Sequence, residues 1–240
     1  MATDTATSTS EQIQFNIHDE TSTLRRVIVH TPGAEMNMVS PETRMDLLFD
    51  DILFVGQART EHLLVCEVLE KVIGHDDGVL QIGDLLRDVF HQEEARADFV
   101  RQLCQISAHR NLHAFEGKLV RLAPEELYTF ALTGKTLLPV NEEPVPNLMF
   151  TRDVAAVAGN AVILSHPATA ARAREGVIIN VVLNHHPLFQ HAKDQLINLP
   201  PGVTFEGGDF IMAGPRVALL GHSERTSFSG VMAIAEALFA

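Results

Sequence analysis

Apolar positions recur along the chain with two different periods, and the change from one to the other divides it into segments. Leu24 to His30 (LRRVIVH) is a β-branched run between Asp19-Glu20 and Thr31-Pro32-Gly33, a predicted strand between turns. From Gln57 to Ile73 the apolar positions 63, 64, 68, 69 and 72 fall at helical spacing, Gly74 stops the helix, and a second strand is predicted over Gly78 to Ile82. The character changes over Asp84 to Leu138: DLLRDVF, EEARADFVRQLCQI and APEELYTFAL combine helical spacing with acidic starts, and Pro124 suits a first helical turn. After Pro139 the strand signals return. Asp153 to His166 and Asp209 to His222 are predicted hairpins, turning at Gly159-Asn160 and Gly214-Pro215. Val177 to Leu183 (VIINVVL) fits the end of a helix or a buried strand, because so short an apolar run has no decisive period. Ser227 to Ala240 is helical, with apolar residues at 228, 231, 232, 235, 238 and 239.

The two hairpins belong to an internal repeat. Asp153-x4-Ala158-Gly159-x6-His166 matches Asp209-x3-Ala213-Gly214-x7-His222, and the strand ending at His30 is a third occurrence of the terminal His. In the two full copies a carboxylate opens a hairpin, and a strand ending in His leads into a helix. Strand-strand-helix-strand units repeated around an axis make an α/β propeller with its helices outside. The expected organisation is a disordered tail over 1–14, a first blade over 15–83, a helical insertion over 84–140, a second blade over 141–202 and the start of a third over 203–240.

Composition narrows the function classes. With 46% hydrophobic residues, and Lys+Arg 18 against Asp+Glu 31 for a net charge of −13, the chain is globular rather than disordered. The same charge excludes partners that need a basic face, so neither nucleic acid nor an anionic membrane surface is expected. No apolar run approaches the roughly 18 residues of a membrane span, and Met1 to Gln14 lacks the basic and apolar blocks of a signal peptide. Two cysteines, Cys66 and Cys104, both in apolar-periodic stretches, point to a reduced, cytoplasmic protein. No nucleotide motif occurs, and His109, His113, His185 and His186 lack the spaced companions of a metal site, so neither cofactor nor metal is expected. The spaced pair His109 and His113 reads as a surface pair.

Chemistry concentrates before the hairpins. Pro146 to Asp153 (PNLMFTRD) leads into the first, and Phe205 to Asp209 (FEGGD) occupies the same place in the second. Repeat symmetry brings Asp153, Glu206 and Asp209 towards one central channel. A ring of carboxylates suits a cationic ligand, and a guanidinium pairs with carboxylate through two parallel hydrogen bonds. On spacing alone these acids are equally turn and cap residues.

LLFDD (47–51), PNLMFTRD (146–153), EGGD (206–209) and GHSERTS (221–227), in that order, resemble arginine deiminases of the guanidino-group-modifying superfamily, whose fold is a five-bladed ββαβ propeller. The resemblance runs from Phe15 onward and covers the N-terminal part of that family. It implies that Asp153 holds the guanidinium of L-arginine and that Glu206 contacts the same group and helps move protons. Asn147 and Arg225 would bind the α-amino and α-carboxylate end. Arg172 would be a second carboxylate clamp, with Arg174 competing for that role. Phe150 would line the pocket and Leu48 would offer its backbone near the α-amino group. The implied reaction is hydrolysis of L-arginine to L-citrulline and ammonia in arginine breakdown, without cofactor or metal.

One departure accompanies the resemblance. The family uses a Cys nucleophile near its C-terminus and a fourth-blade His, and this sequence contains neither element. Cys66 and Cys104 read as small buried hydrophobes. The ending at Ala240, inside a helix and on its apolar stripe, raises the expectation of a fragment, a truncated pseudoenzyme or half of a split enzyme. Two function classes therefore stay open: a deiminase completed by a complementary C-terminal chain, and a non-catalytic arginine binder or docking partner that self-associates or joins a full-length enzyme.

Overall fold

Val27, Ile28 and Val29 are β-branched and form β1 (Val27–Val29), which pairs in parallel with β2 (Val79–Gln81), Val27 lying opposite Val79. A parallel pair needs a crossover, and α1 (Val55–Ile73) provides it. The computed structural model describes residues 12–107 and 112–239; the expectations for residues 1–11, for His109 and for Ala240 lie outside them.

Four helices follow: α2 (Ile82–Phe90), which starts directly from β2, α3 (Glu93–Ile106), α4 (Leu112–Leu119) and α5 (Pro124–Thr133). Pro124 opens α5, and the Glu126 carboxylate accepts from the Ala123 backbone N–H at 3.0 Å. After a 3-10 turn at Pro146–Met149 comes the one-turn helix α6 (Thr151–Val154), then the hairpin of β3 (Ala155–Ala158) and β4 (Ala161–Leu164). Gly159, at φ 61°, supplies the left-handed position of that tight turn. Helix α7 (Ala173–His185) crosses back to β5 (Leu196–Ile197), parallel to β4, which completes a strand-strand-helix-strand unit. The last unit is the hairpin of β6 (Phe210–Gly214) and β7 (Val217–Leu220), followed by α8 (Phe228–Phe239). Its turn falls at Pro215-Arg216, one residue later than expected, because an irregularity between Met212 and Gly214 shifts the register.

The open choice at Val177 to Leu183 resolves as helix. Residues 177, 178, 179, 181, 182 and 183 of α7 are all buried, because the sheet covers one side and α2 and α3 the other. The largest core joins both sides of that helix. Phe90 and Phe99 meet edge to face at 5.2 Å between ring centres, and one continuous cluster extends from Ile82 through Phe130 to Phe189. Each such fully buried side chain contributes about 1.5–3 kcal/mol. Residues 84–140 therefore share a core with the segment after them.

Two further expectations are corrected. Ile13, placed in a disordered tail, is buried, and its N–H donates to the Leu188 carbonyl at 2.8 Å, because the Phe15–Phe189 ring stack holds this segment on the core. Helix α1 forms at the expected place and ends at Gly74, but the burial implied by its apolar spacing is confined to Cys66: Leu64, Val68 and Val72 are more than half exposed, because among the described residues nothing packs on that face. The three strand-end histidines share no environment. His30 is buried against Glu35 at 3.0 Å, His166 pairs through its backbone with Phe205, and His222 is exposed beside Phe228.

Candidate functional site

Turns before the two hairpins carry the carboxylates of the repeat: Asp153 in α6 and Asp209 in the 3-10 turn Gly207–Asp209. Ser165 ties these turns together, since its hydroxyl donates to the Asp153 carbonyl and accepts from the Gly207 N–H at 3.2 Å. Between the turns lies a cleft of about 340 Å³. Leu48, Asn147, Phe150, Asp153, Arg172, Glu206 and Arg225, all expected at a site, line it together with Gly208 and Asp209. Arg174 does not.

The EGGD segment approaches α6 closely enough to forbid side chains. A Cβ on Gly207 would stand 2.3 Å from the Arg152 carbonyl oxygen, and one on Gly208 would stand 2.7 Å from Asp153 Oδ1. The two glycines therefore do different work. Gly207→Ala collides with backbone and is expected to lower the melting temperature by several degrees. Gly208→Ala pushes only the Asp153 carboxylate and is expected to leave melting nearly unchanged while weakening ligand binding. Thermal melts and ligand titrations of both variants check this division.

Arg172 is the centre of the site. It is 4% exposed, and all five of its N–H groups are engaged. Nη1 donates to Asp153 Oδ2 at 2.8 Å and to Glu206 Oε2 at 3.0 Å. Nε and Nη2 both reach Glu175 Oε2, at 2.9 and 2.8 Å, and Nη2 also approaches the Asn147 carbonyl at 3.5 Å. Burial works against its charge, but Glu175 and Asp153 overcome that and raise its pKa. Arg172 was expected as a clamp for a ligand carboxylate. In this structure its donors are committed to protein acceptors, because the R-x-x-E spacing at the start of α7 seats it against Glu175. Arg174 is buried elsewhere, donates to the Glu143 carbonyl, and has its pKa lowered to about 10 by burial.

At the rim, the Arg225 side chain is 40% exposed, with Nη1 at 3.3 Å from Glu206 Oε1. The SERTS loop is held by Ser223, whose hydroxyl accepts from the N–H groups of Arg225 and Thr226 at 3.0 and 3.1 Å and donates to Asp209 Oδ2 at 2.6 Å. Thr226, fully buried, accepts from the Glu206 N–H at 3.3 Å. Across the cleft, Asn147 donates its side-chain N–H to the Leu47 carbonyl at 2.8 Å, anchoring the LLFDD loop. Next to that anchor Leu48 has φ 65°, the one positive value outside glycine among the described residues. Such backbone costs roughly 1–2 kcal/mol for a residue with a Cβ and is kept where surrounding structure enforces it.

Sequence reading missed Glu175, Ser165 and Ser223. The i, i+3 spacing of Arg172 and Glu175 was the available signal for the first. Glu175 is 1% exposed, and burial pushes its carboxyl up to about 7 despite the Arg172 charge beside it. Cys66 and Cys104 are buried on α1 and α3, and neither lines the cleft. Burial, then Glu116 and Glu142, pushes the Cys104 thiol up, away from a reactive thiolate. Among the described residues one group has metal-type donors in mutual reach: Cys104, His113 and Glu116, within 4.8 Å of one another, with His113 and Glu116 exposed. Among the described residues no helix is long and apolar enough to cross a membrane.

Comparison with known proteins bears on this geometry. The family model of arginine deiminase matches residues 45–240. An arginine deiminase of Rhodococcus erythropolis is 31% identical over 253 residues, covering 96% of this chain and 61% of that protein. One from Listeria monocytogenes is 30% identical over 247 residues, covering 94% and 59%. The chain thus spans about three fifths of the length of these curated relatives. Among solved structures, a dimethylarginine dimethylaminohydrolase adduct with 4-chloro-2-hydroxymethylpyridine superposes with a TM-score of 0.52 over 90% of this chain and 56% of that one, at 15% identity. That likeness concerns the fold.

Proposed function

Because the chain belongs to the arginine deiminase family, we propose that its cleft takes L-arginine and that the reaction it serves is hydrolysis to L-citrulline and ammonia, in cytoplasmic arginine breakdown. The observation that carries this reading is the pairing of Asp153 and Glu206 with one guanidinium nitrogen, Arg172 Nη1, at 2.8 and 3.0 Å. Two carboxylates set apart at that spacing accept a guanidinium; Asp153 Oδ1 has no donor among the described residues, and Glu206 Oε1 meets only the part-exposed Arg225 at 3.3 Å. Charge agrees. Even with the Glu175 carboxyl pushed up to about 7, Asp153, Glu206 and Asp209 outnumber Arg172 and Arg225 around the cleft. Arginine carries a net positive charge.

Asp153 orients the guanidinium of the substrate, and Glu206 contacts it and passes protons. Arg225, at the rim, meets the α-carboxylate, and Phe150, 47% exposed in the cleft, stacks its ring along the aliphatic stem. Asn147 and Leu48 present the loop facing the α-amino group. In the family reaction a thiolate attacks the guanidinium carbon, forming a C–S bond as a C–N bond breaks and ammonia leaves with a proton. Water then displaces sulfur to give citrulline. Neither cysteine of this chain lines the cleft, so the chain contributes recognition and orientation, and a thiol and a His from a complementary C-terminal segment or chain would complete the reaction. We read the three sheets as the opening part of the ββαβ propeller.

The absence of a thiol from the cleft lining favours a second reading, arginine binding without turnover. Calorimetric titration of the purified chain with L-arginine, run beside a citrulline assay, separates the two. Binding without citrulline supports recognition by this chain alone. Citrulline that disappears in Asp153→Ala assigns it turnover. Failure to bind L-arginine at millimolar concentration overturns both.

A further inference from the structure

We propose that Glu175 is the positioning residue of this cleft: it touches no ligand, but fixes the Arg172 guanidinium so that Nη1 holds one oxygen of Asp153 and one of Glu206, and a guanidinium in the cleft meets Asp153 Oδ1 and, in place of Arg225, Glu206 Oε1. The inference deepens the arginine-binding reading and rests on it for its functional consequence. Its geometry stands independently. Glu175 Oε2 accepts from both Nε and Nη2 of Arg172, a pairing that locks the plane and direction of the guanidinium. Nη1, at the opposite end of the fork, then points at Asp153 Oδ2 and Glu206 Oε2 and sets their separation. No described residue donates to Asp153 Oδ1, and Glu206 Oε1 meets only the rim residue Arg225. Glu175 lies on the first turn of a helix buried on nearly every side, so its place is set by the core rather than by the cleft.

A second observation marks Glu175 as more than an ordinary ion-pair partner. Its Oε1 is buried and has no hydrogen-bond partner, so the carboxylate is under-solvated where it stands. The charged groups facing it are Arg172 at the end of the preceding turn, Asp153 from α6, Glu206 from the EGGD segment, and Arg174 on its own helix. Two are negative, and with burial they favour its neutral form, so its charge changes near neutral pH. Protonation removes the charge but keeps Oε2 as an acceptor, so the surroundings of Arg172 Nε change while the hydrogen-bonded placement persists.

The experiment compares the ligand-free chain, Glu175→Gln and Glu175→Leu, each shown to be folded by circular dichroism. One arm follows the Arg172 Nε–H resonance by ¹⁵N NMR from pH 5.5 to 8.5. The other measures L-arginine affinity over the same range. In the wild type the resonance is expected to be protected and to titrate near neutrality. Glu175→Gln keeps an acceptor for Nε and Nη2, so protection persists without titration and affinity stays within about threefold. Glu175→Leu loses protection and at least tenfold in affinity. An Arg172 resonance that does not titrate in the wild type and is unchanged in Glu175→Leu overturns the proposal, whether or not arginine binds. Absent arginine binding in the wild type with the expected resonance behaviour overturns the ligand reading and leaves the positioning role standing. Should Glu175→Leu not fold, the wild-type and Glu175→Gln titrations decide.

Discussion

Asp153→Asn weakens L-arginine binding roughly 10- to 100-fold, the expected result of losing a charge-assisted pair to the ligand worth about 1.5–3 kcal/mol. Asn keeps the shape of the side chain and can still accept from Arg172 Nη1, so the loss falls on the ligand rather than on the fold. Citrulline supplies the internal control. It carries a neutral ureido group where arginine carries a cation, so the wild type should prefer arginine, and most of that preference should vanish in Asp153→Asn. Titration calorimetry with both ligands reads the effect. An arginine preference that survives the substitution means that the guanidinium does not meet Asp153.

Arg172→Ala acts mainly on stability. Removing one partner of a buried ion pair typically costs about 3–5 kcal/mol, and here a single guanidinium serves three carboxylates, two of them almost fully buried. For a chain of this size that is a fall of roughly 10 °C in melting temperature. The double variant Arg172→Met/Glu175→Leu removes the most deeply buried of the carboxylates that Arg172→Ala orphans and should recover part of the loss, while Glu206 keeps only Arg225. A single variant that melts like the wild type would show that the carboxylates do not need Arg172. The pH dependence follows from Glu175, whose folded pKa of about 7 lies above its ordinary value of 4.5. A raised folded pKa means that the folded state binds more protons. Its contribution is therefore fully present below about pH 4.5 and is lost as pH rises through about 7. Glu175→Gln should flatten that slope in melts collected between pH 4.5 and 8.

Much of this protein is legible in its sequence because the signals are local. Gly159-Asn160 between two alternating runs specifies a hairpin through turn chemistry alone, and β3 and β4 pair around it. The motifs that line the cleft are legible for a related reason: PNLMFTRD and EGGD sit in the turns that enter hairpins, so the chain direction there delivers their side chains to one end of the sheets. Where burial is all-round, local pattern fails. The helix α7 has apolar residues on nearly every face, which erases the period that would have separated helix from strand. Helix α1 fails in the opposite sense, since its apolar stripe is real but uncovered among the described residues.

Residue chemistry, turn positions and the order of the motifs were therefore determined by the sequence by itself: an acidic, α/β chain with two carboxylate-led hairpins and a set of groups suited to a guanidinium. Only the tertiary structure decided which group meets which. Arg172 reads as a clamp for a ligand carboxylate, yet its five N–H groups end on Asp153, Glu206, Glu175 and the Asn147 carbonyl. Asn147 reads as a ligand contact, yet its side-chain N–H anchors a loop 100 residues away in the chain. Both outcomes have one physical cause. A long or polar side chain is placed by the donors and acceptors that folding brings within about 3 Å of it, and a buried one must find them among segments far apart in the chain.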